Sequence, residues 1–123
     1  MSDQVARSTS DEAGPEGAAP AGPHRVRVLV YAAAPSGEPD AVATAYHRIS
    51  RDLAGTPGLL RNELLRAADD DRAFVVMSEW TSLDAFRDWE AGAAHRGTTA
   101  PLRDYQRVPG PRPFGVYEVT ATY

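Results

Sequence analysis

FVVMSEWTSLDAFRDWEAGAAHRGTTAPLRDY, residues 74–105, contains a change of hydrophobic period on which the architecture turns. Ala73 to Trp80 alternates as a strand, and beyond it Leu83, Phe86, Trp89 and Ala93 recur at helical spacing. Ser82 stands where a helix N-cap belongs, with Asp84 in the first turn, where a carboxylate favours the positive end of the helix dipole. Gly92 and Gly97 bracket the end of this helix, and a short helical turn is expected around Pro101 to Tyr105.

Working outward, Leu59 to Arg66 predicts another strand, entered through the Pro57-Gly58 turn and returned into Ala73–Trp80 through Asp69-Asp70-Asp71 as a hairpin. Before it, Asp40 begins a helix whose apolar stripe is Val42, Tyr46, Ile49 and Leu53, closed by Gly55. Arg25 to Tyr31 alternates as the first strand until Pro35, Gly37 and Pro39 break it. At the far end Pro109 to Pro113 must be loop, and Phe114 to Tyr123 alternates as a last strand.

The order β-α-β-β-α-β predicts a ferredoxin-like α+β fold, a four-stranded antiparallel sheet with both helices on one face. The other face stays bare, yet the outer strands are apolar on both sides: Leu29 and Tyr31 oppose Val26, Val28 and Val30, and Tyr117, Val119 and Tyr123 oppose Phe114 and Val116. Such a face should be covered by a second copy, so a homodimer is expected.

Composition narrows the function classes. The 123 residues suit one domain, with a hydrophobic fraction of 42% that supports a modest core. Residues 1–23 carry Val5 as the single large aliphatic residue after Met1 and are expected to be a disordered tail, leaving 24–123 as the folded unit. With no cysteine, thiolate nucleophiles, thiolate metal sites and disulfides are excluded. All 13 basic residues are arginine and the formal net charge is −4, so no lysine Schiff base can form and no basic field favours nucleic acid. No apolar run approaches the roughly 20 residues of a membrane span, and the N-terminus lacks a basic-then-apolar signal region, so a cytoplasmic protein is expected.

Three residues are candidates for chemistry. Asn62 is flanked by Leu60 and Leu64 on the expected inner face of its strand, where an amide is costly unless it bonds something. Trp80 closes a strand and brings an indole N–H that needs a partner. His95, at the end of the second helix, carries an imidazole that titrates near working pH and is the leading base, although a C-capping histidine would look the same. Phe86, Trp89, Tyr46 and Tyr105 could line a cavity, and Arg96 could pair with an acidic substrate group; core packing and surface ion pairs are the alternatives. His24 and His47 lie apart from His95, so no histidine metal cluster is expected.

The run Ser78-Glu79-Trp80-Thr81-Ser82-Leu83-Asp84-Ala85-Phe86-Arg87-Asp88-Trp89, with Pro57 to Arg66 behind it, resembles the antibiotic biosynthesis monooxygenase family over about Arg25 to Tyr123. The resemblance implies a dimeric α+β barrel, with Asn62 and Trp80 at positions where that family places pocket residues. It implies a cofactor-free oxygenase that takes molecular oxygen as co-substrate and converts an aromatic polyketide, a phenol or anthrone, to a quinone. Relatives with similar strand–helix joints also include polyketide cyclases, haem-degrading oxygenases and proteins without known activity, so a cyclase and a non-catalytic ligand-binding dimer stay open. For the oxygenase, transfer of a phenolic proton to a histidine is uphill by roughly 5 kcal/mol. Two preorganised donors, the Asn62 amide and the Trp80 indole, are of the size to offset this, at about 3 to 4 kcal/mol for one well-aimed donor.

Overall fold

Alternation along the first strand holds in space: Val26, Val28 and Ala32 are buried while Arg27 and Tyr31 are exposed. The computed structural model describes residues 24–107 and 114–123, apart from the side chains of residues 94–96. The expected tail over residues 1–23 and the Pro109 to Pro113 loop lie outside the described residues. In chain order the elements are β1 (Val26–Ala33), α1 (Ala41–Leu53), β2 (Leu59–Ala67), β3 (Asp70–Trp80), α2 (Leu83–Arg96), α3 (Ala100–Arg103) and β4 (Gly115–Glu118). The strands form one antiparallel sheet in the order β2-β3-β1-β4, so the ferredoxin-like α+β arrangement is observed.

Side chains from the sheet's inner face meet the helices in two apolar clusters. One joins Val42, Ile49 and Leu53 of α1 to Ala32, Phe74 and Leu102. The other joins Val26 and Val28 to Trp80 and Phe86. Ser82 caps α2 as its position suggested, its Oγ accepting from the Ala85 N–H at 3.1 Å, and Gly97 ends the helix with φ 65°. Asp40 precedes α1 without a side-chain capping bond, so that helix rests on its buried stripe.

Gly58 links the layers. Its φ is 83°, its carbonyl accepts from the Thr81 N–H at 2.9 Å, and a Cβ placed there would lie 2.6 Å from the Ala85 Cβ. Only glycine combines that backbone angle with so close an approach of α2.

Three local expectations are corrected. Ala67 pairs with Asp70, so the hairpin turn is Ala68 and Asp69, and Asp70 and Asp71 belong to β3. Asp70 Oδ1 accepts from the Arg72 N–H at 3.0 Å, and the Arg72 side chain donates to the Ala34 carbonyl at 2.9 Å, holding the strand start in place. Leu60 is not on the inner face: the register shifts between Leu59 and Arg61, so Leu60 bulges outward at 52% exposure while Leu59 and Asn62 keep inner positions. Finally, β4 stops at Glu118 rather than running to Tyr123, because its partner β1 begins at Val26; Val119 adds one further bond, to the Arg25 carbonyl at 2.8 Å.

The opposite face of the sheet carries no element among the described residues. It presents Leu29, Val75 and Met77 with Tyr31, Leu65 and Tyr117, the last three exposed by 39%, 45% and 53%. Toward one end Glu79 is buried beneath three arginines, with Arg25 Nη1 at 2.9 Å, Arg27 Nε at 3.6 Å and Arg61 Nε at 3.9 Å. Gly115 lets the Tyr117 ring lie flat on the strand, because a Cβ there would come within 2.6 Å of the ring.

Candidate active site

A cavity of about 250 Å3 lies between the inner face of the sheet and the helices. Val28, Val30 and Val76 give it an aliphatic floor, and Ile49 and Leu53 of α1 close one side. Trp80, Phe86 and Trp89 form an aromatic wall. Trp80 meets Phe86 edge-on and Trp89 at a tilt, with centroids 5.5 Å apart in both pairs, and Phe114 meets Phe86 edge-on at 5.9 Å. Helical spacing on α2 aims Phe86, Trp89 and Ala93 at this space, with Glu90 beside them. Thr99, Arg103 and Gln106 line the cavity from α3 and the residues flanking it.

On the sheet side two polar residues interrupt the apolar lining. Asn62 on β2 and Ser78 on β3 are direct register partners and belong to the wall. The Asn62 amide Nδ2 donates to Ser50 Oγ at 2.9 Å, and its backbone carbonyl accepts from the Tyr46 hydroxyl at 3.0 Å. Its Oδ1 is buried and bonds nothing among the described residues. Leaving a buried acceptor unpaired costs about 1–3 kcal/mol, which sets Asn62 apart from the satisfied polar groups around it. Trp80 is 1% exposed, and its indole N–H donates to Ser78 Oγ at 2.9 Å.

Of the residues expected from sequence, Asn62, Trp80, Phe86 and Trp89 are brought together in the wall. Tyr46 stands behind it, its hydroxyl engaged with the Asn62 backbone and its ring edge-on to His47 at 5.3 Å. Tyr105 packs against the α1 cluster. His95 and Arg96 are in α2, but their side chains lie outside the described residues. Ser78, Ser50 and Glu90 were not anticipated. Ser78 shares the inner face with Trp80 by strand period, Ser50 follows Tyr46 by one helical turn, and Glu90 follows Phe86 by one turn, so each had a positional signal. No cluster of metal-ligating side chains occurs among the described residues.

The described residues thus form an antiparallel sheet roofed by two helices over an aromatic-walled cavity, on a ferredoxin-like scaffold. Residues 25–100 match the family described as antibiotic biosynthesis monooxygenase, and the chain belongs to that family. Among curated proteins it is 29% identical over 97 residues to Protein SchA of Streptomyces halstedii, covering 79% of this chain and 26% of that protein. It is 37% identical over 51 residues to deoxynogalonate monooxygenase of Streptomyces nogalater, covering 42% of this chain and 43% of that enzyme. It spans 20% of a further relative, a 42.8 kDa protein in the whiE locus of Streptomyces coelicolor, at 30% identity over 63% of this chain, so the first two curated relatives in this order of similarity are several times longer than the shared region. Among solved structures, SnoaB from Streptomyces nogalater, described as a cofactor-independent oxygenase, superposes with a TM-score of 0.64 at 25% identity, over 82% of this chain and 97% of SnoaB. An asparagine-to-alanine variant of SnoaB gives a TM-score of 0.67 at 25% identity, over 80% of this chain and 96% of that one.

Proposed function

We propose that the chain is a cofactor-independent monooxygenase that converts a phenol or anthrone of an aromatic polyketide to a quinone. The observation that carries this reading is the aromatic-walled cavity with an unpaired buried acceptor, Asn62 Oδ1, at its side. Its volume of about 250 Å3 lies just below the usual range of small-molecule pockets, about 300–1,000 Å3, which limits the substrate to a compact ring system. SnoaB and deoxynogalonate monooxygenase, whose names state related activities, support the same class of reaction.

The chemistry asks the protein to bind, orient and exclude water. The substrate gives a proton to the base, its anion transfers an electron to dioxygen, and the radical pair recombines into a peroxide anion that takes the proton back as a hydroperoxide. That hydroperoxide loses water, so one oxygen atom ends in the new carbonyl and the other in water, and the substrate supplies every electron. In this reading Asn62 Oδ1 accepts from the substrate hydroxyl, and Trp80, Phe86 and Trp89 hold the ring. His95 is the proposed base, and Arg96 is proposed to meet an acidic substituent. Tyr46 acts through the backbone of Asn62, and Tyr105 helps shape the α1 side of the cavity. The bare sheet face, with Tyr31, Leu65 and Tyr117 exposed, supports a homodimer packed sheet to sheet.

Oxygen uptake by metal-stripped protein with the anthrone dithranol tests this reading. The expected outcome is uptake with quinone formation, lowered about tenfold in Asn62→Ala, which removes the acceptor for the substrate hydroxyl. Binding without uptake would replace the oxygenase with a cyclase or a carrier.

A further inference from the structure

The geometry points to Ser78 as a further catalytic residue, a hydroxyl that donates a hydrogen bond to the substrate oxygen as it becomes anionic, with Trp80 as its positioning residue. This rests on the oxygenase reading for its reaction, and on three observations for its geometry. Ser78 lines the cavity. Its Oγ accepts the Trp80 indole N–H at 2.9 Å. Its direct partner across the strands is Asn62, whose Oδ1 is buried and unpaired.

A serine hydroxyl has one hydrogen to give and two lone pairs to receive. The indole of Trp80, an obligate donor, occupies one lone pair and so restricts the directions in which the hydroxyl hydrogen can point. Among the described residues nothing accepts that hydrogen. The wall therefore holds a donor without an acceptor on one strand, beside an acceptor without a donor on the next. A substrate C–OH satisfies both: its oxygen accepts from Ser78 and its hydrogen goes to Asn62 Oδ1. When the proposed base, His95, takes the proton, the Ser78 donor remains on the oxyanion, and its polarisation by the indole strengthens that bond. Trp80 thus acts through Ser78 instead of reaching the substrate with its own N–H.

The test uses full-length protein and a dihydroxyanthraquinone, whose phenol ionisation is read from its visible band. A donor to the anion lowers the ionisation midpoint of the bound dye below that of the free dye. Ser78→Ala is expected to raise the bound midpoint by about one pH unit and to lower kcat for dithranol oxidation by about a hundredfold, with KM changed by less than about threefold. Ser78→Thr, which keeps the hydroxyl, should hold both within about threefold of wild type. Trp80→Phe should raise the midpoint by a smaller amount than Ser78→Ala, because the hydroxyl stays but loses its orientation. Should the alanine variant fail to fold, Ser78→Cys, with a weak donor of similar size, carries the same expectation.

A folded Ser78→Ala protein with wild-type midpoint and kcat overturns the proposal, as does a rise in KM alone. A midpoint shift that depends on Ser78, in a protein that consumes no oxygen, removes the oxygenase reading and leaves the Ser78 donor standing. Absence of dye binding by wild type overturns both.

Discussion

The two faces of the sheet are built from the same strands and serve opposite ends. On the helix side β1 and β3 present Val26, Val28, Phe74 and Trp80, all buried by the chain's own helices. The polar groups on that side are few: Trp80 is bonded to Ser78 and Asn62 to Ser50, with a single buried acceptor left over among the described residues. On the other side the alternate residues of the same strands leave Tyr31, Leu65 and Tyr117 exposed, and the charge is gathered at Glu79 and its arginines. Met77 apart, which is buried on the open face, an apolar strand residue is therefore core on one face and a candidate interface on the other, and strand phase is what separates the two.

Four variants can break or sharpen that contrast. Trp80→Ala, on the closed face, should cost about 3–5 kcal/mol, seen as a lower urea midpoint with an unchanged m-value. On the open face, Tyr31→Glu combined with Leu65→Glu should weaken self-association by about a hundredfold or more in sedimentation equilibrium, which is close to 3 kcal/mol. The far-ultraviolet spectrum of that variant should stay native; loss of folding would mean that this face belongs to the core of a single chain. Glu79→Gln should cost about 1–2 kcal/mol by thermal melting, because it removes a buried carboxylate from three partly exposed arginines, whose solvation limits the loss. The smallest effect is expected for Gly115→Ala, under about 1 kcal/mol, since the Tyr117 ring can swing away from the added methyl. Its more sensitive readout is dimer affinity, which should fall as the ring leaves its place on the strand.

The fold was legible because its signals are periodic. The switch from alternation before Trp80 to helical spacing after Leu83, with Ser82 at the joint, has one simple solution in space. Asn62 was legible as an inward amide, but Leu60 was not legible as its outward neighbour, because a bulge adds one residue without leaving a mark in the alternation. Tyr46 illustrates a different limit. Its place on the apolar stripe of α1 was clear, whereas the direction of its hydroxyl toward the Asn62 carbonyl depends on how α1 crosses β2. Glu90 and Ser78 escaped notice for a chemical reason: a charged helix residue and a small strand residue look like surface until the cavity between them exists. The length of β4 was set by where β1 begins, a property of the partner strand.

The contact at Gly58 has a mechanical consequence. Its carbonyl holds the start of α2 through Thr81, and its bare Cα sits against Ala85, so β2 and α2 are joined like two covers at a spine. Asn62 lies on one cover, Phe86 and Trp89 on the other. Any widening of the space between them would be smallest at that spine and would grow with distance along α2, toward the side of Thr99, Arg103 and Gln106.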